Sequence, residues 1–267
     1  MSVVVPVHNE AGNIAPLVSE ITRNLNGRLS YEIVYVDDGS TDSTADELIE
    51  ARRRWPQIRI IRHRQSCGQS TAVRTGVRMA RAGWIVTLDG DGQNDPADIP
   101  AMLIARDAAS RPEVLVAGVR RARNDRLGKR LGSLLANRLR RWLLKDGARD
   151  TGCGIKLFPR DAFLDLPYFD HMHRFLPALF LRAGVETVEH LVNHRPRTRG
   201  RSHYGLLDRA LVGVVDLLGV AWLQRRAAFP MIDLPVTEWD TGRSEPDVAP
   251  LEDIAARSLD PQRGAVP

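Results

Sequence analysis

At 267 residues the chain is long enough for one large α/β domain with a proper core and a short appendage. Its composition, 43% apolar and 27% charged, is that of an ordinary soluble globular protein. The two cysteines, Cys67 and Cys153, lie far apart without metal-ligand spacing, which argues against a disulfide and for free thiols in a reducing compartment.

Residues 2–7 are a valine-rich apolar run that stops at polar residues, as a buried parallel strand does. Met1 leads straight into it without a charged leader or a long apolar core, so no signal peptide is expected. A helix is predicted over 12–26, where Ile14, Leu17, Val18, Ile21 and Leu25 keep helical spacing. Strand 32–38 and helix 43–55 follow, the helix ended by Pro56. Residues 58–63 and 84–88 read as strands separated by a helix over 70–82, and 114–119 as another strand. This alternation predicts a doubly wound parallel sheet with right-handed crossovers. Such sheets bind ligands at the carboxyl ends of their strands, and the polar motifs of this chain sit there.

Beyond residue 125 the character changes. Between 120 and 145, ten Lys and Arg stand against one acid, Asp125. Leu127, Leu131, Leu134, Leu135, Leu139, Trp142 and Leu143 keep one helical face. The segment reads as a basic amphipathic helix, either lying on anionic lipid or packed on the domain with a solvated basic face. Residues 210–223 are apolar apart from Asp216, but would reach only roughly 21 Å against the ~30 Å hydrocarbon core, so no span is expected. Asp208, Arg209 and Asp216, with Gly205 and Gly219, share one narrow stripe and leave a wide apolar arc, the pattern of an interfacial or partner-facing helix. The organisation expected is a main domain over 1–205, an apolar helical segment over 206–230, and a disordered tail over 231–267.

The net charge of +5 and a pI near 9.7 suit an anionic partner: nucleotide, phospholipid surface or nucleic acid. Stacking aromatics are nearly absent from the basic cluster, which argues against nucleic acid. The strongest local signal is Asp89-Gly90-Asp91-Gly92-Gln93, directly after an apolar strand. Two carboxylates at i and i+2 on a loop can reach one hard cation, Mg²⁺ or Mn²⁺, that bridges to diphosphate oxygens. Alone, such a pair is as often a solvated turn. Asp37-Asp38-Gly39-Ser40-Thr41-Asp42 ends another strand: Asp37 or Asp38 is expected to bind a nucleobase or ribose, and Asp42 or Ser43 to cap the next helix. His171 and His173 form an H-x-H pair flanked by an aromatic run ending at Phe175, and a packing role is favoured over a metal. Cys153 is read as a small packing residue.

Together, Val4-Val5-Pro6-Val7-His8-Asn9-Glu10, Val36-Asp37-Asp38-Gly39-Ser40-Thr41-Asp42 and Asp89-Gly90-Asp91-Gly92-Gln93-Asn94-Asp95-Pro96 resemble family 2 glycosyltransferases of the GT-A fold. Two later segments, Asp150-Thr151-Gly152-Cys153-Gly154-Ile155-Lys156-Leu157-Phe158 and Arg197-Thr198-Arg199-Gly200-Arg201-Ser202-His203-Tyr204, resemble those of polyprenyl-phosphate sugar synthases, the group that includes dolichol-phosphate mannose synthase. The resemblance covers roughly residues 2–205. It implies a mostly parallel α/β sheet flanked by helices, with a C-terminal apolar or amphipathic helix. It also implies inverting transfer of a sugar from a UDP- or GDP-linked donor to a polyprenyl phosphate at the cytoplasmic membrane face, by a peripheral enzyme acting alone or with a separate transmembrane protein.

Residue by residue, the resemblance implies that Pro6, His8, Glu10, Asp37, Asp38, Asp89 and Gly90 line the nucleotide-sugar pocket. Asp89, Asp91 and Gln93 match the motif that holds Mg²⁺ or Mn²⁺. Asp91, Arg120, Asp150 and Arg197 carry the chemistry. Arg120, Lys129, Arg130, Arg197, Ser202 and His203 meet phosphate oxygens. His203 departs from the pattern, which commonly has Lys, and a histidine is only partly charged near neutral pH. Three other readings share some of these features: transfer to a sugar hydroxyl, which wants a carboxylate base; nucleotidyl transfer, which wants a basic phosphate loop near the first strand; and a non-catalytic membrane-docking partner.

Overall fold

The computed structural model describes residues 1–121, 138, 140–196 and 206–227. Seven strands form one sheet: β1 Ser2–Val7, β2 Glu32–Asp37, β3 Ile58–Arg62, β4 Trp84–Thr87, β5 Val114–Arg120, β6 Lys156–Pro159 and β7 Glu186–Val192. Their order is β3-β2-β1-β4-β6-β5-β7. β6 alone runs antiparallel to its neighbours β4 and β5, while the other described pairings are parallel. The helices are α1 Ile14–Leu25, α2 Thr44–Arg54, α3 Gln69–Met79, α4 Ile99–Asp107, α5 Arg160–Leu164, α6 Leu176–Arg182 and α7 Leu206–Arg225.

Central strands covered on both faces need apolar side chains on both, and β1 meets that demand with alternating valines. Val3, Val5 and Val7 pack in one layer with Ile14, Leu17, Val18 and Ile21 of α1. Val4 faces the other layer with Ala72, Val73 and Val77 of α3 and with Phe158, Phe163 and Phe180. The strands and helices predicted up to residue 119 are all present within a few residues of the expected ends. The reversed strand β6, the helices α4 to α6 and strand β7 are additions.

The parallel strands all end on one side, and the start of antiparallel β6 joins them there. Asp37, Leu88–Asp89, Arg120 and Lys156 therefore converge on one rim, with Lys156 paired to Thr87 in register. Gly39 turns the chain out of β2 at φ +67, and a Cβ there would stand 2.6 Å from the Gln65 backbone carbon. Gly39→Ala thus meets both a left-handed backbone and a backbone clash. A loss of about 2 kcal/mol or more is expected in urea melts, against a few tenths for an exposed helical substitution.

Much of the basic stretch lies outside the described residues, which include Arg138 and helical residues 140–144. Within that turn Arg140 is buried, not solvated, and pairs with Asp146 at 2.8 Å, whereas Trp142 is 74% exposed. α7 packs on the core along one side only. Val220 and Ala221 are buried against the core, with Leu217 and Leu223 packed beside them, while Val215, Leu218 and Trp222 stay exposed. Among the described residues, no helix is long and apolar enough to cross a membrane. The tail over 231–267 lies outside the described residues.

Candidate active site

A cleft of about 420 Å³ opens on the rim where the strands end. Pro6 of β1, Gln69 and Val73 of α3, Thr87 to Asp89, Arg120, residues 151–154, Lys156, His173, Arg174 and Leu176 line it. Its lining sets one carboxylate, Asp89, against three basic side chains, Arg120, Lys156 and Arg174.

Asp89 leaves β4 at the centre of the sheet and accepts a hydrogen bond from the Gln69 amide at 2.8 Å. Its carboxyl is pushed up to about 6, first by burial and then by the charge of Asp91. Asp91 is itself buried, and one of its oxygens accepts from the Gln93 N–H at 3.0 Å, closing a tight turn. Two hard oxygen donors crowded in this way fit a divalent cation, which would relieve the repulsion that raises Asp89. The Gln93 side-chain amide donates to the Arg195 carbonyl at 3.3 Å. Gly90 is buried between the two acids, its backbone against Pro6 and Val7.

The far wall explains why residue 154 is a glycine. A Cβ there would lie 2.1 Å from an Asp89 carboxylate oxygen. That oxygen is the mobile end of a side chain, so Gly154→Ala is accommodated by turning the carboxylate away. Expected is a melting temperature close to wild type with Mn²⁺ binding weakened by about tenfold, the scale of lost ligand support, as read by calorimetric titration.

Arg120, the last residue of β5, is gripped by Asp150 in a two-pronged ion pair: Nε to Oδ2 at 2.6 Å and Nη2 to Oδ1 at 2.7 Å. Both side chains are nearly buried. The hydrogen bonds that Arg120 donates to Asp150 outweigh burial and raise the guanidinium further above its ordinary value. Asp150 thus holds the Arg120 guanidinium at the end of β5. Lys156, absent from the sequence-based site, is buried beneath the same loop and donates to the Thr151 and Cys153 carbonyls. Burial lowers its affinity for a proton, and the charges of Cys153 and Asp89 pull it back.

Along the rim towards β2, the expected nucleotide residues organise one another. Asp38 accepts from the Cys67 and Gly68 N–H groups, the Ser66 hydroxyl and His63 Nδ1. Burial would raise its carboxyl, but these bonds hold it below the usual range. Cys67, His63 and Asp38 are close enough to suggest a metal, yet the carboxylate is already filled with donors. His8 donates from Nδ1 to the Asp38 carbonyl at 2.8 Å, and Asp37 pairs with Arg62 at 3.1 Å. Glu10 accepts from the Asn13 amide. Asp42, rather than Ser43, binds the Thr44 N–H in the first turn of α2.

His171 and His173 do not form a metal pair. His171 binds Asp216 of α7 at 3.1 Å, whereas His173 binds Ser70 of α3 at 2.7 Å. Cys153 is buried in the core, and burial raises its thiol, as befits a packing residue. Lys129, Arg130, Arg197, Ser202 and His203 lie outside the described residues.

A mostly parallel sheet with an acid pair at its central strand end is the arrangement of the GT-A fold. The sequence pattern described as glycosyl transferase family 2 matches residues 2–166. The chain belongs to that family. It is similar to dodecaprenyl-phosphate galacturonate synthase of Rhizobium johnstonii, 35% identical over 243 residues that cover 86% of this chain and 69% of the relative. It also resembles undecaprenyl-phosphate 4-deoxy-4-formamido-L-arabinose transferase of Edwardsiella ictaluri, 31% identical over 78% of this chain and 63% of the relative. The chain thus spans about two thirds of the length of these relatives. Among solved structures, glucosyl-3-phosphoglycerate synthase of Mycobacterium tuberculosis, in complex with Mn²⁺, UDP and glucosyl-3-phosphoglycerate, shares the fold. Its TM-score is 0.63 at 20% identity, over 86% of this chain and 80% of that one.

Proposed function

We propose that this glycosyltransferase passes a sugar from a nucleotide diphosphate to a polyprenyl phosphate, with inversion, at the cytoplasmic face of a membrane. The observation that carries the reading is the lining of the cleft, three basic side chains to one carboxylate. Asp89 is claimed by the cation site and Asp150 by Arg120, so the cleft is poorly furnished to deprotonate a hydroxyl. An ionised phosphate needs no such base. The names of the two relatives, each with a polyprenyl phosphate in it, support the same acceptor.

Chemically, an acceptor phosphate oxygen attacks the anomeric carbon from the face opposite the nucleotide. A carbon–oxygen bond forms, and the bond to the diphosphate breaks, its electron pair leaving with the nucleotide. Asp89 and Asp91, with Gln93, would hold Mg²⁺ or Mn²⁺, which supplies Lewis-acid neutralisation of the departing diphosphate. Arg120, preset by Asp150, meets phosphate oxygens, and Lys129, Arg130, Arg197, Ser202 and His203 add to it. Pro6, His8, Glu10, Asp37, Asp38 and Gly90 form the nucleotide side. A paired-acceptor assay tests this reading: label from the donor should enter polyprenyl phosphate and not the matching polyprenol. Equal transfer to the alcohol would favour a hydroxyl acceptor.

Docking on lipid is supported by two neighbouring helical segments. Gln224 of α7 donates to the Leu144 carbonyl at 2.9 Å, so Trp142 and the Val215-Leu218-Trp222 stripe belong to adjoining segments. Arg141, Lys145, Arg225 and Arg226 rim them, an arrangement suited to an anionic interface. The purified chain is expected to co-sediment with vesicles containing anionic lipid and to be released by high salt. Trp222→Asp should weaken that binding several-fold, at about 0.8 kcal/mol per CH₂ no longer buried. Failure to co-sediment with such vesicles would point instead to a transmembrane partner protein.

A further inference from the structure

Beyond Val192 the chain leaves β7 and runs on as a short strap, residues 193–195, that meets the acid-motif loop at successive positions. The Asn193 N–H donates to the Asp98 carboxylate at 2.7 Å and its side-chain amide to the same group at 3.2 Å. His194 forms an antiparallel bridge with Asn94, whose buried side chain accepts from the Asp89 N–H at 3.0 Å. The Arg195 N–H donates to the Gln93 carbonyl at 3.0 Å, and the Arg195 carbonyl accepts from the Gln93 side-chain amide at 3.3 Å.

The Arg195 side chain grips the same loop a second time. Its Nη1 lies 2.6 Å from Glu20 of α1 and its Nη2 2.6 Å from Asp95. Asp95 in turn caps the 3₁₀ turn Pro96–Asp98 by accepting from the Ala97 N–H at 3.0 Å. A planar guanidinium suits this task, because its fork can hold two carboxylates from different elements at once. The arginine side chain is 39% exposed, so the two ion pairs add little to global stability. Their effect is local: the loop that carries Asp89 and Asp91 is tied to α1. The bond from Gln93 commits its amide nitrogen to the strap, and the amide oxygen is the hard donor it can offer a cation.

Resting on the proposed cation site at Asp89 and Asp91, we infer that Arg195 is a positioning residue for it, stapling residues 93–95 to the strap and to α1 so that the acid turn is set before the cation arrives. The loop is then ordered during folding, and losing the staple weakens cation binding more than it unfolds the chain. The whole chain is titrated calorimetrically with Mn²⁺ alone, and amide hydrogen exchange over residues 89–95 is followed without metal. Arg195→Met keeps the apolar stem and removes the fork, whereas Glu20→Gln weakens only the anchor on α1.

Arg195→Met should melt close to wild type, exchange the loop amides several-fold faster, and bind Mn²⁺ about fivefold more weakly, less than the loss of a ligand's direct support would cost. Arg195→Lys, with one ammonium for two carboxylates, should restore part of the affinity. Glu20→Gln should move both readouts the same way by less. An unchanged Mn²⁺ affinity in Arg195→Met overturns the assignment, even where the loop exchanges faster. So does a fall in melting temperature large enough to account for the weaker binding, since the arginine would then hold the fold and not the loop. A wild type that binds no Mn²⁺ contradicts the cation site itself, a separate failure seen before any variant is compared.

Discussion

Asp91→Asn should lower sugar transfer by about 10²–10³-fold, the usual cost of removing one preorganised electrostatic contact to a developing charge. The expectation rests on the difference between shape and charge at this position. Asparagine keeps the oxygen that accepts from the Gln93 N–H, so the turn over 91–93 survives. What it loses is half of the charge offered to a divalent cation. Asp89→Asn should act alike, since its bond to Gln69 can also persist. Folding should move the other way. Asp89 is raised by burial and by Asp91, so deleting either charge removes repulsion, and the melting temperature without metal should hold or rise. Thermal shift with and without Mn²⁺ separates the effects: the variants should lose the cation-induced rise that the wild type shows. Full activity in Asp91→Asn would remove the cation from the reaction.

Arg120→Ala should damage both stability and turnover. The Asp150 side chain is only 8% exposed and meets the guanidinium in a paired geometry, so truncation takes this two-pronged partner from a nearly buried carboxylate. Breaking such a pair from one side costs about 3–5 kcal/mol. Lysine cannot restore the fork, so Arg120→Lys should recover some stability and little transfer. Asp150→Asn offers the cleaner view of positioning. The arginine remains in the cleft, but one prong of its support is weakened, and kcat should fall more than the fold does. Urea melts beside acceptor-dependent kinetics give both numbers. Wild-type stability in Arg120→Ala would mean that the pair is dispensable to the fold.

The first half of the molecule was legible because local pattern and tertiary role coincide there. Val3 to Val7 had to be a buried strand, and the helical spacing of Ile14 to Leu25 had to face it. The acid motifs were legible for the same reason, being contiguous and placed at strand ends. β6 escaped because it is four residues long, begins with a lysine and ends at a proline. β7 escaped because its Glu-Thr-Val-Glu-His-Leu-Val run mixes charged and apolar residues, as suits a strand at the sheet edge.

The unread parts of the site are pairings across long stretches of chain. Asp150 stood only as a chemistry-bearing residue of a recognised motif, because nothing local ties it to Arg120, thirty residues away. His173 meets Ser70 across 103 residues, and Gln69 meets Asp89 across twenty. Lys156 stood in a recognised motif, but only the sheet register places it beside Thr87, two residues before Asp89. Such residues leave no period or spacing to find.

The most direct measurement is the fate of the sugar itself. The purified chain would be given polyprenyl phosphate, Mg²⁺ or Mn²⁺, and a panel of UDP- and GDP-linked sugars labelled in the sugar, and the organic phase would be counted. Label should become lipid-extractable with one donor, require the phosphate on the lipid, and vanish with a chelator or with Asp91→Asn. Nucleotide-sugar binding without any lipid-extractable label, in the presence of anionic vesicles, would contradict transfer to a lipid phosphate.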